Sequence, residues 1–414
     1  MILCLAAVYR IRLLATQTTH PEQIMAIKDK LFVRLLLLSL LPLLNLCLYL
    51  YFMRPSKEIS QVNDGGKRKL TDFSRQVIAL LGNNSAHNVT LHDLTSSEDI
   101  TSCNNSTSCL SGYMRHDGVS RDMKFLLSNP YRCDDVWKAA SDSPDLFLLV
   151  LVSSRIVNFV RREAIRQTWG SVQVIGRTRI ITMFLIGSSL DDRVRKLVRT
   201  EKAEYDDIIM GDFIDSYYNL TVKSIMGFKW VKYYCPRAKF ILKADDDMYL
   251  NYAAIVDFLP KANSSHYAAG YVYLGQTPNR NSSHKWFMSR QLYQSDIYPP
   301  FCSGTGYVMS SDVVRDTYEI SLDTPLLPLE DVYVGVCWDK LHISPLHHPG
   351  FRVSKQQYPP CMYYFLLTVH DLTPDELYEI WNFVKKGHFI RCNHLLGIKE
   401  SLSPAIADFS RIFT

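Results

Sequence analysis

Residues 239–251 read KFILKADDDMYLN, an apolar run followed at once by three aspartates. The run from Phe240 to Ala244 predicts a buried β-strand, because a short, continuous apolar stretch is typical of the interior of a parallel sheet. Asp245, Asp246 and Asp247 would then lie just beyond the carboxyl end of that strand, where open α/β sheets bind their ligands. This stretch therefore predicts both a fold class and the position of a functional site.

The segments around this strand alternate between strand-like and helix-like patterns. Apolar runs favour strands, and charged or amphipathic segments favour helices. An alternation of this kind indicates an α/β fold built on a mixed, mostly parallel sheet. The predicted strands are residues 146–152, 180–186 and 208–213, and the predicted helices are residues 158–169, 191–205 and 217–234, the last of them amphipathic.

Composition limits the class of protein. The chain has 414 residues, of which 47% are hydrophobic, with 46 basic and 41 acidic side chains. Such a chain can bury a sizeable core, which excludes a disordered or fibrous protein as the main interpretation. The basic excess is small and no long Lys/Arg run occurs, so we expect no nucleic-acid partner.

The three aspartates predict a site for a divalent cation. Adjacent carboxylates repel one another unless they are solvated or share a cation. In extended backbone Asp245 and Asp247 project to the same side, and their hard oxygen atoms suit Mg²⁺ or Mn²⁺, which in turn neutralise a diphosphate. The alternative is a solvated acidic turn or a helix cap, but the position at the end of a buried strand favours the cation site.

A second acidic pair, Glu330 and Asp331, lies in an apolar context. Such a pair is a candidate for a general base with a raised pKa, although acidic residues are also favoured in the first turn of a helix. The spacing alone supports both interpretations equally. Residues 298–308 are aromatic and contain two glycines, which suits a loop that approaches a substrate or a turn that enters a strand. His370, taken by itself, predicts no function.

The N-terminal part of the chain differs from the rest. Residues 35–53 are nineteen residues without a charge, enough to cross a hydrocarbon core about 30 Å thick. We expect an uncleaved signal anchor here instead of a cleaved signal peptide or a buried helix, because aromatic residues follow the apolar run where a small-residue cleavage site would lie. Residues 1–34 would form a cytoplasmic tail, residues 54–121 a lumenal, glycosylated stem, and residues 122–414 the catalytic domain.

The positions of the cysteines and of the glycosylation sequons favour a lumenal location for the residues after the anchor. Eight of the ten cysteines follow it, an even number that suits disulfides in an oxidising compartment, although the sequence assigns no pairing. All seven Asn-x-Ser/Thr sequons also follow it, as in a glycosylated type II membrane protein. The cysteines are Cys103, Cys109, Cys133, Cys235, Cys302, Cys337, Cys361 and Cys392, and the sequons begin at Asn83, Asn88, Asn104, Asn105, Asn219, Asn263 and Asn281.

Six blocks of sequence occur in one order along the chain. They are residues 162–170 (REAIRQTWG), 212–223 (DFIDSYYNLTVK), 243–251 (KADDDMYLN), 285–289 (KWFMS), 298–307 (YPPFCSGTGY) and 330–335 (EDVYVG). Together they resemble the β-1,3-glycosyltransferases of glycosyltransferase family 31, over about residues 122–381. One block alone is a weak match, whereas six in order are highly specific.

The resemblance implies a GT-A fold, which is Rossmann-like and binds nucleotide sugars, in an enzyme anchored in the Golgi membrane. It implies an inverting, Mn²⁺-dependent transfer of a hexose from a UDP-sugar donor to the 3-hydroxyl of a glycan acceptor on a glycoprotein or glycolipid. Galactose is favoured over an N-acetylhexosamine as the transferred sugar. The oligomeric state stays open.

The resemblance also implies roles for individual residues. Asp247 would bind the metal together with His370, and Asp331 would deprotonate the acceptor. Residues 248–250 (MYL) depart from the family pattern, in which Phe and Val are usual, and this departure concerns donor choice more than activity. The residues expected at the nucleotide sugar are Arg162, Arg166, Trp169, Asp245, Asp246 and Glu330.

Two other functions stay open on sequence alone. A catalytically silent type II glycoprotein that binds glycans or acts as a chaperone would be expected to lack an aspartate at 245–247 or 331, and all four are present. A metal-dependent phosphotransferase or nucleotidyltransferase would use the aspartate cluster without needing residues 298–307 or 330–331.

Overall fold

The computed structural model describes residues 123–134, 146–260, 265–355 and 358–387, together with residue 392. The predicted tail, anchor and stem, residues 1–121, lie outside the described residues, so that division of the chain stays a prediction. Among the described residues, no helix combines the length and the apolarity needed to cross a bilayer.

Strands and helices alternate through the first half of the described chain, as the sequence predicts. The strands are β1 (Phe125–Leu127), β2 (Leu146–Ser153), β3 (Val174–Ile175), β4 (Thr178–Ser188), β5 (Ile208–Ile214), β6 (Phe240–Asp245), β7 (Tyr249–Leu250), β8 (Ala268–Tyr273), β9 (Phe301–Ser310), β10 (Leu346–His347), β11 (Phe351–Arg352) and β12 (Thr368–Val369). The helices are α1 (Phe159–Gln167), α2 (Asp192–Tyr205), α3 (Leu220–Tyr234), α4 (Tyr252–Phe258), α5 (Ser311–Ser321), α6 (Glu330–Lys340) and α7 (Pro374–Lys385).

Nine of these strands form one mixed sheet in the described part of the chain. Their order is β1-β5-β4-β2-β6-β9-β8-β10, and β3 pairs with β4. The central strands β5, β4, β2 and β6 are parallel, whereas β9 runs antiparallel to both β6 and β8. The mixed α/β sheet is thus confirmed, but its parallel centre is followed by antiparallel pairing, because residues 274–300 lead β8 back to β9 as an antiparallel neighbour; the edge strand β10 is again parallel to β8.

The central strands are buried on both faces, which explains their continuous apolar runs. In β2, Leu148, Val150 and Val152 pack on one side of the sheet, and Leu149 and Leu151 pack on the other. This alternation follows from the two-residue repeat of a strand. Helices α1, α2, α4 and α7 contribute to the first cluster, and helices α3, α5 and α6 contribute to the second. Because the helices cover the two faces of the sheet, a ligand site is expected at the carboxyl ends of the parallel strands.

Three predicted elements differ from the structure. Helix α3 is not amphipathic, because α5 and α6 cover the side that faces away from the sheet, and even Lys223 is buried. The helix predicted over residues 158–169 ends at Gln167, and Trp169 begins a separate 3₁₀ turn. Most of residues 298–308 belong to strand β9 and not to a loop.

The structure pairs four of the cysteines. Cys133 is bonded to Cys235, which ties the segment after β1 to the end of α3, and Cys361 is bonded to Cys392. The even number of cysteines after the predicted anchor does not mean that all of them are paired, because Cys302 and Cys337 are free and buried. Cys103 and Cys109 lie outside the described residues.

Candidate active site

The candidate site begins where two parallel strands end side by side. In the register of β2 and β6, Ser153 lies opposite Asp245. The chain turns after Asp245, and the middle aspartate, Asp246, points back toward the segment after β2. There its Oδ2 atom accepts hydrogen bonds from Ser154 Oγ at 2.7 Å and from Asn158 Nδ2 at 2.9 Å. Asp246 is therefore held by protein groups, and its two neighbours are left to face elsewhere.

Asp245, Asp247 and His370 come together as a group that can hold a metal ion, called here the metal-site cluster. Each offers a ligand atom, and these atoms lie within 4.8 Å of one another. His370 reaches the aspartates because β12, which precedes it, pairs with β7, which follows them. The backbone N–H of Leu372 also donates to the carbonyl of Asp247 at 2.9 Å. The long-range pairing that completes the cluster spans more than a hundred residues of sequence.

The electrostatics of the cluster fit a cation. Oδ1 of Asp247 is buried without a hydrogen-bond partner, although His370 Nε2 approaches it to 3.4 Å. Burial raises the pKa of Asp247 to about 6, and the negative charge of Asp245 adds to this, whereas His370 opposes it. A divalent ion with oxygen and imidazole ligands would supply the missing positive charge.

Asp331, the second acidic centre, lies beside Gly304 of strand β9. It occupies the first turn of α6, which confirms the helix-start interpretation of the Glu330–Asp331 pair, while the role of a base stays a prediction. Its Oδ2 atom accepts from the backbone N–H of Gly304 at 3.3 Å and its Oδ1 from that of Val332 at 2.9 Å. Burial raises the pKa of the Asp331 carboxyl despite these hydrogen bonds. A half-buried carboxylate of this kind suits proton abstraction.

Lys243 and Gly304 join the two acidic centres. The Lys243 ammonium lies 2.6 Å from Asp245 Oδ1 and donates to the carbonyl of Gly304, whose N–H donates to Asp331. Burial lowers the pKa of Lys243, but the carboxylates of Asp245 and Glu330 raise it above its ordinary value. A Cβ atom on Gly304 would lie 3.2 Å from Glu330 Oε2. Glycine therefore lets α6 approach the strand closely.

Glu330 differs from its neighbour, because its side chain is buried and turned into the protein. Its Oε1 atom accepts hydrogen bonds from Ser224 Oγ at 2.6 Å and from the Tyr307 hydroxyl at 2.7 Å. Burial raises the pKa of Glu330. This position differs from the contact with a nucleotide sugar that the sequence suggests, and it makes Glu330 a support for α6 and β9.

Arg162, Arg166 and Trp169 also lie behind the site, in contrast to the expectation that they line it. Arg162 is fully buried and donates to Glu201 and to Ser154 Oγ, at 3.1 Å for the latter. Arg166 donates to Glu201 and Asp207. The indole N–H of Trp169 donates to the carbonyl of Met248 at 2.8 Å. Their partners are protein groups, because a helix that packs on the sheet must bury one of its faces. Their contact with the site is thus indirect, through Ser154 and Met248.

The sequence prediction missed Arg161, the cationic side chain of α1 that does face the aspartates. Its Nη1 atom lies 3.9 Å from Asp247 Oδ2, and its Nε atom lies 4.0 Å from Asp246 Oδ1. The sequence signal that could have identified Arg161 is its position in the helix, because successive side chains project about 100° apart and Arg161 and Arg162 therefore face different ways. Lys243 could also have been found, as a lysine inside an otherwise apolar strand.

Comparisons with known proteins place the chain in a family. A family described as Galactosyltransferase matches residues 160–349. Beta-1,3-galactosyltransferase 1 from Mus musculus is 41% identical over 272 residues, which cover 65% of this chain and 81% of the relative. Beta-1,3-galactosyltransferase 2 from Homo sapiens is 37% identical over 281 residues, which cover 66% of this chain and 65% of the relative.

Likeness to solved structures is weaker. A solved galactosyltransferase, LgtC, in complex with donor and acceptor sugar analogs, covers 57% of this chain and 95% of its own, with 8% identity and a TM-score of 0.30. A TM-score of this size does not establish a shared fold.

Proposed function

This chain belongs to the β-1,3-galactosyltransferase family and is a hexosyltransferase that uses a UDP-sugar; from this premise we propose that it is an inverting, Mn²⁺-dependent enzyme that transfers galactose to the 3-hydroxyl of a glycan acceptor. The family supports a GT-A fold for its catalytic domain. The observation that carries the proposal is the pair of acidic centres, the metal-site cluster and Asp331, linked through Lys243 and Gly304.

The metal-site cluster would hold the cation at the donor. Asp247, His370 and Asp245 each offer one ligand atom, and the buried Oδ1 of Asp247, which has no hydrogen-bond partner, is the atom that most needs a cation. When bound, Mn²⁺ neutralises charge on the diphosphate as UDP leaves. The Arg161 guanidinium, on the same edge, would add positive charge beside the phosphates.

Asp331 would act on the acceptor. Its carboxylate takes the proton of the acceptor 3-hydroxyl, the acceptor oxygen forms a bond to the anomeric carbon, and the bond from that carbon to the UDP oxygen breaks. Attack from the side opposite to UDP inverts the anomeric configuration. The N–H groups of Gly304 and Val332, one on each oxygen, hold the carboxylate in place.

We also propose that the protein is a single-pass type II membrane protein of the Golgi with a lumenal catalytic domain. The apolar stretch of residues 35–53 and the sequons that follow it support this location. The two disulfides suit an oxidising lumen, and the sequon residue Asn281 is exposed. Protease protection of microsomes together with glycosidase sensitivity would test the orientation, and a cytosolic C-terminal part would contradict it.

The test of the activity is UDP release by the full-length protein in detergent. UDP-galactose, UDP-N-acetylglucosamine and UDP-N-acetylgalactosamine would each be supplied with Mn²⁺ and with methyl β-glycosides of galactose, N-acetylglucosamine and N-acetylgalactosamine. We expect acceptor-dependent release from UDP-galactose that EDTA abolishes. Release from another donor would correct the sugar. A folded protein that neither binds nor turns over any donor would contradict the proposal and favour a non-catalytic glycoprotein.

A further inference from the structure

Two aromatic side chains near the site are exposed to solvent. Trp286 is 55% exposed and Tyr217 is 39% exposed. They come from separate segments, the one within residues 285–289 and the other in the 3₁₀ turn that leads into α3. We call this pair the aromatic surface. Large aromatic rings dominate the energetics of contact surfaces, so a pair of exposed rings from distant segments needs an explanation.

The two side chains are held together. The Trp286 side chain lies beside the Tyr217 hydroxyl, close enough to oppose the rise in the pKa of that group. The neighbouring Lys285 places its ammonium 4.6 Å from the centre of the Tyr217 ring, a cation–π contact. The aromatic surface is therefore a defined arrangement and not two independent surface residues.

The segment that carries Trp286 is anchored to the protein. Met288, two residues later, is fully buried, and its N–H donates to the carbonyl of Asn279 at 2.8 Å. The Arg280 guanidinium donates to the carbonyls of Met288, Tyr293 and Ser295. An exposed tryptophan on a fixed backbone is ready to contact a ligand at a small entropic cost.

The aromatic surface adjoins the proposed base. Tyr217 lies in the 3₁₀ turn directly before α3, and Thr221 and Ser224, three residues apart, share one face of the first turns of that helix. Thr221 donates to the carbonyl of Leu327 at 2.7 Å, and Ser224 donates to Glu330 at 2.6 Å. This face thus packs on the residues that lead directly to Asp331. Burial raises the pKa of the Tyr217 hydroxyl, and the nearby charges of Asp331 and Asp245 raise it further.

A pyranose ring has an apolar face of C–H groups that suits an aromatic ring, and hydroxyls at its edge that suit a carboxylate. We propose that Trp286, positioned by Tyr217, stacks on the acceptor sugar and brings its 3-hydroxyl to Asp331. This inference rests on the proposed function and adds to it the part of the protein that binds the acceptor. The class of ligand is a pyranoside with one unobstructed C–H face.

The test compares Trp286→Ala and Trp286→Phe with Tyr233→Ala in the full-length protein. Tyr233 is a matched control, since it is 56% exposed and also carries a cation–π contact, with Lys232. It lies on α3, about 20 Å along the helix from its first turn. Transfer from UDP-galactose to the three methyl β-glycosides gives KM for each acceptor, and UDP binding with Mn²⁺ reports on the donor site.

We expect Trp286→Ala to raise the acceptor KM by about tenfold or more, while UDP affinity stays within about twofold of wild type, and Trp286→Phe to recover most of the loss. Tyr233→Ala should leave both quantities unchanged. An unchanged acceptor KM in Trp286→Ala, or an equal loss of UDP affinity, would overturn the inference, the second by assigning the ring to the uracil. A wild-type protein without transfer to any of the acceptors would instead overturn the proposed function, and the inference with it.

Discussion

Helix α1 borders two clusters of charged side chains that differ in how closely their charges are paired. Within the paired cluster (Arg162, Arg166, Glu201 and Asp207), hydrogen bonds between guanidinium and carboxylate groups are 2.7–2.8 Å long. In the metal-site cluster, the nearest guanidinium, that of Arg161, stays 3.9 Å from Asp247. Every charge of the paired cluster has a close counter-charge, whereas in the metal-site cluster Lys243 pairs with Asp245 and leaves Asp247 with only the looser contacts of Arg161 and His370.

The pKa shifts follow this difference. Burial favours the protonated form of Glu201, but Arg162 and Arg166 outweigh it and lower the pKa of Glu201. Asp247 has no such partner, and burial raises its pKa to about 6. Buried charges are normally paired, so a carboxylate with a buried, unbonded oxygen and no close counter-charge marks the place where a ligand supplies that charge. The comparison separates groups that build the fold from groups that serve the reaction.

The largest expected effect on the reaction comes from Asp331→Asn. The amide cannot accept the acceptor proton, so kcat should fall by roughly 10²–10⁴-fold, the range for a positioned general base. UDP binding in the presence of Mn²⁺ should be kept, which isothermal titration checks. Asp339→Asn, an exposed change on the same helix, is the control. Full turnover in Asp331→Asn would remove Asp331 from its role.

The paired cluster should respond in stability and not in binding. Glu201→Gln leaves the buried Arg162 guanidinium without a counter-ion, which should lower the free energy of unfolding by about 3–5 kcal/mol. Urea unfolding would measure this, with the exposed Glu204→Gln on α2 as the control. Because the folded-state pKa of Glu201 is lowered, its stabilising contribution should fade as pH drops through the ordinary carboxyl range. If the variant were as stable as wild type but lost UDP binding, the two clusters would not differ as described.

A substitution in the metal-site cluster should instead change metal binding and not stability. Asp247→Asn removes a proposed ligand and a poorly compensated charge, so the affinity for Mn²⁺, read from Mn²⁺-dependent UDP binding, should fall by more than the roughly 10–100-fold that loss of a residue supporting a ligand costs. The free energy of unfolding without metal should not fall, because repulsion from Asp245 is relieved. Asp257→Asn, exposed on α4, serves as the matched change. Unaltered Mn²⁺ affinity would count against Asp247 as a ligand.

The sequence was sufficient for the parallel centre of the sheet, because the apolar runs of β2, β4 and β6 record burial on both faces. It also placed Asp245 at the end of a strand, Asp247 in the turn that follows it and Asp331 at the start of a helix. What it could not give is which side chains of a helix face the site. Arg161 and Arg162 are adjacent in sequence, yet only packing on the sheet decides that the first faces the aspartates and the second is buried. The role of Gly304 depends likewise on the antiparallel pairing of β9 with β6.

The smallest expected effect is a shift in pH dependence, and it separates Asp331 from the metal-site cluster. Burial raises the pKa of Asp331, and only the ionised form can take a proton. At saturating Mn²⁺, which keeps the ligand carboxylates ionised, kcat/KM for the acceptor should therefore fall on acidification at a pH above the ordinary aspartate value of about 4. By the same linkage, ionised Asp331 opposes folding above its pKa, so Asp331→Asn should gain slightly in thermal stability at neutral pH. If the residual activity of Asp331→Asn fell on acidification at the same pH as that of wild type, the fall would belong to the titration of another group.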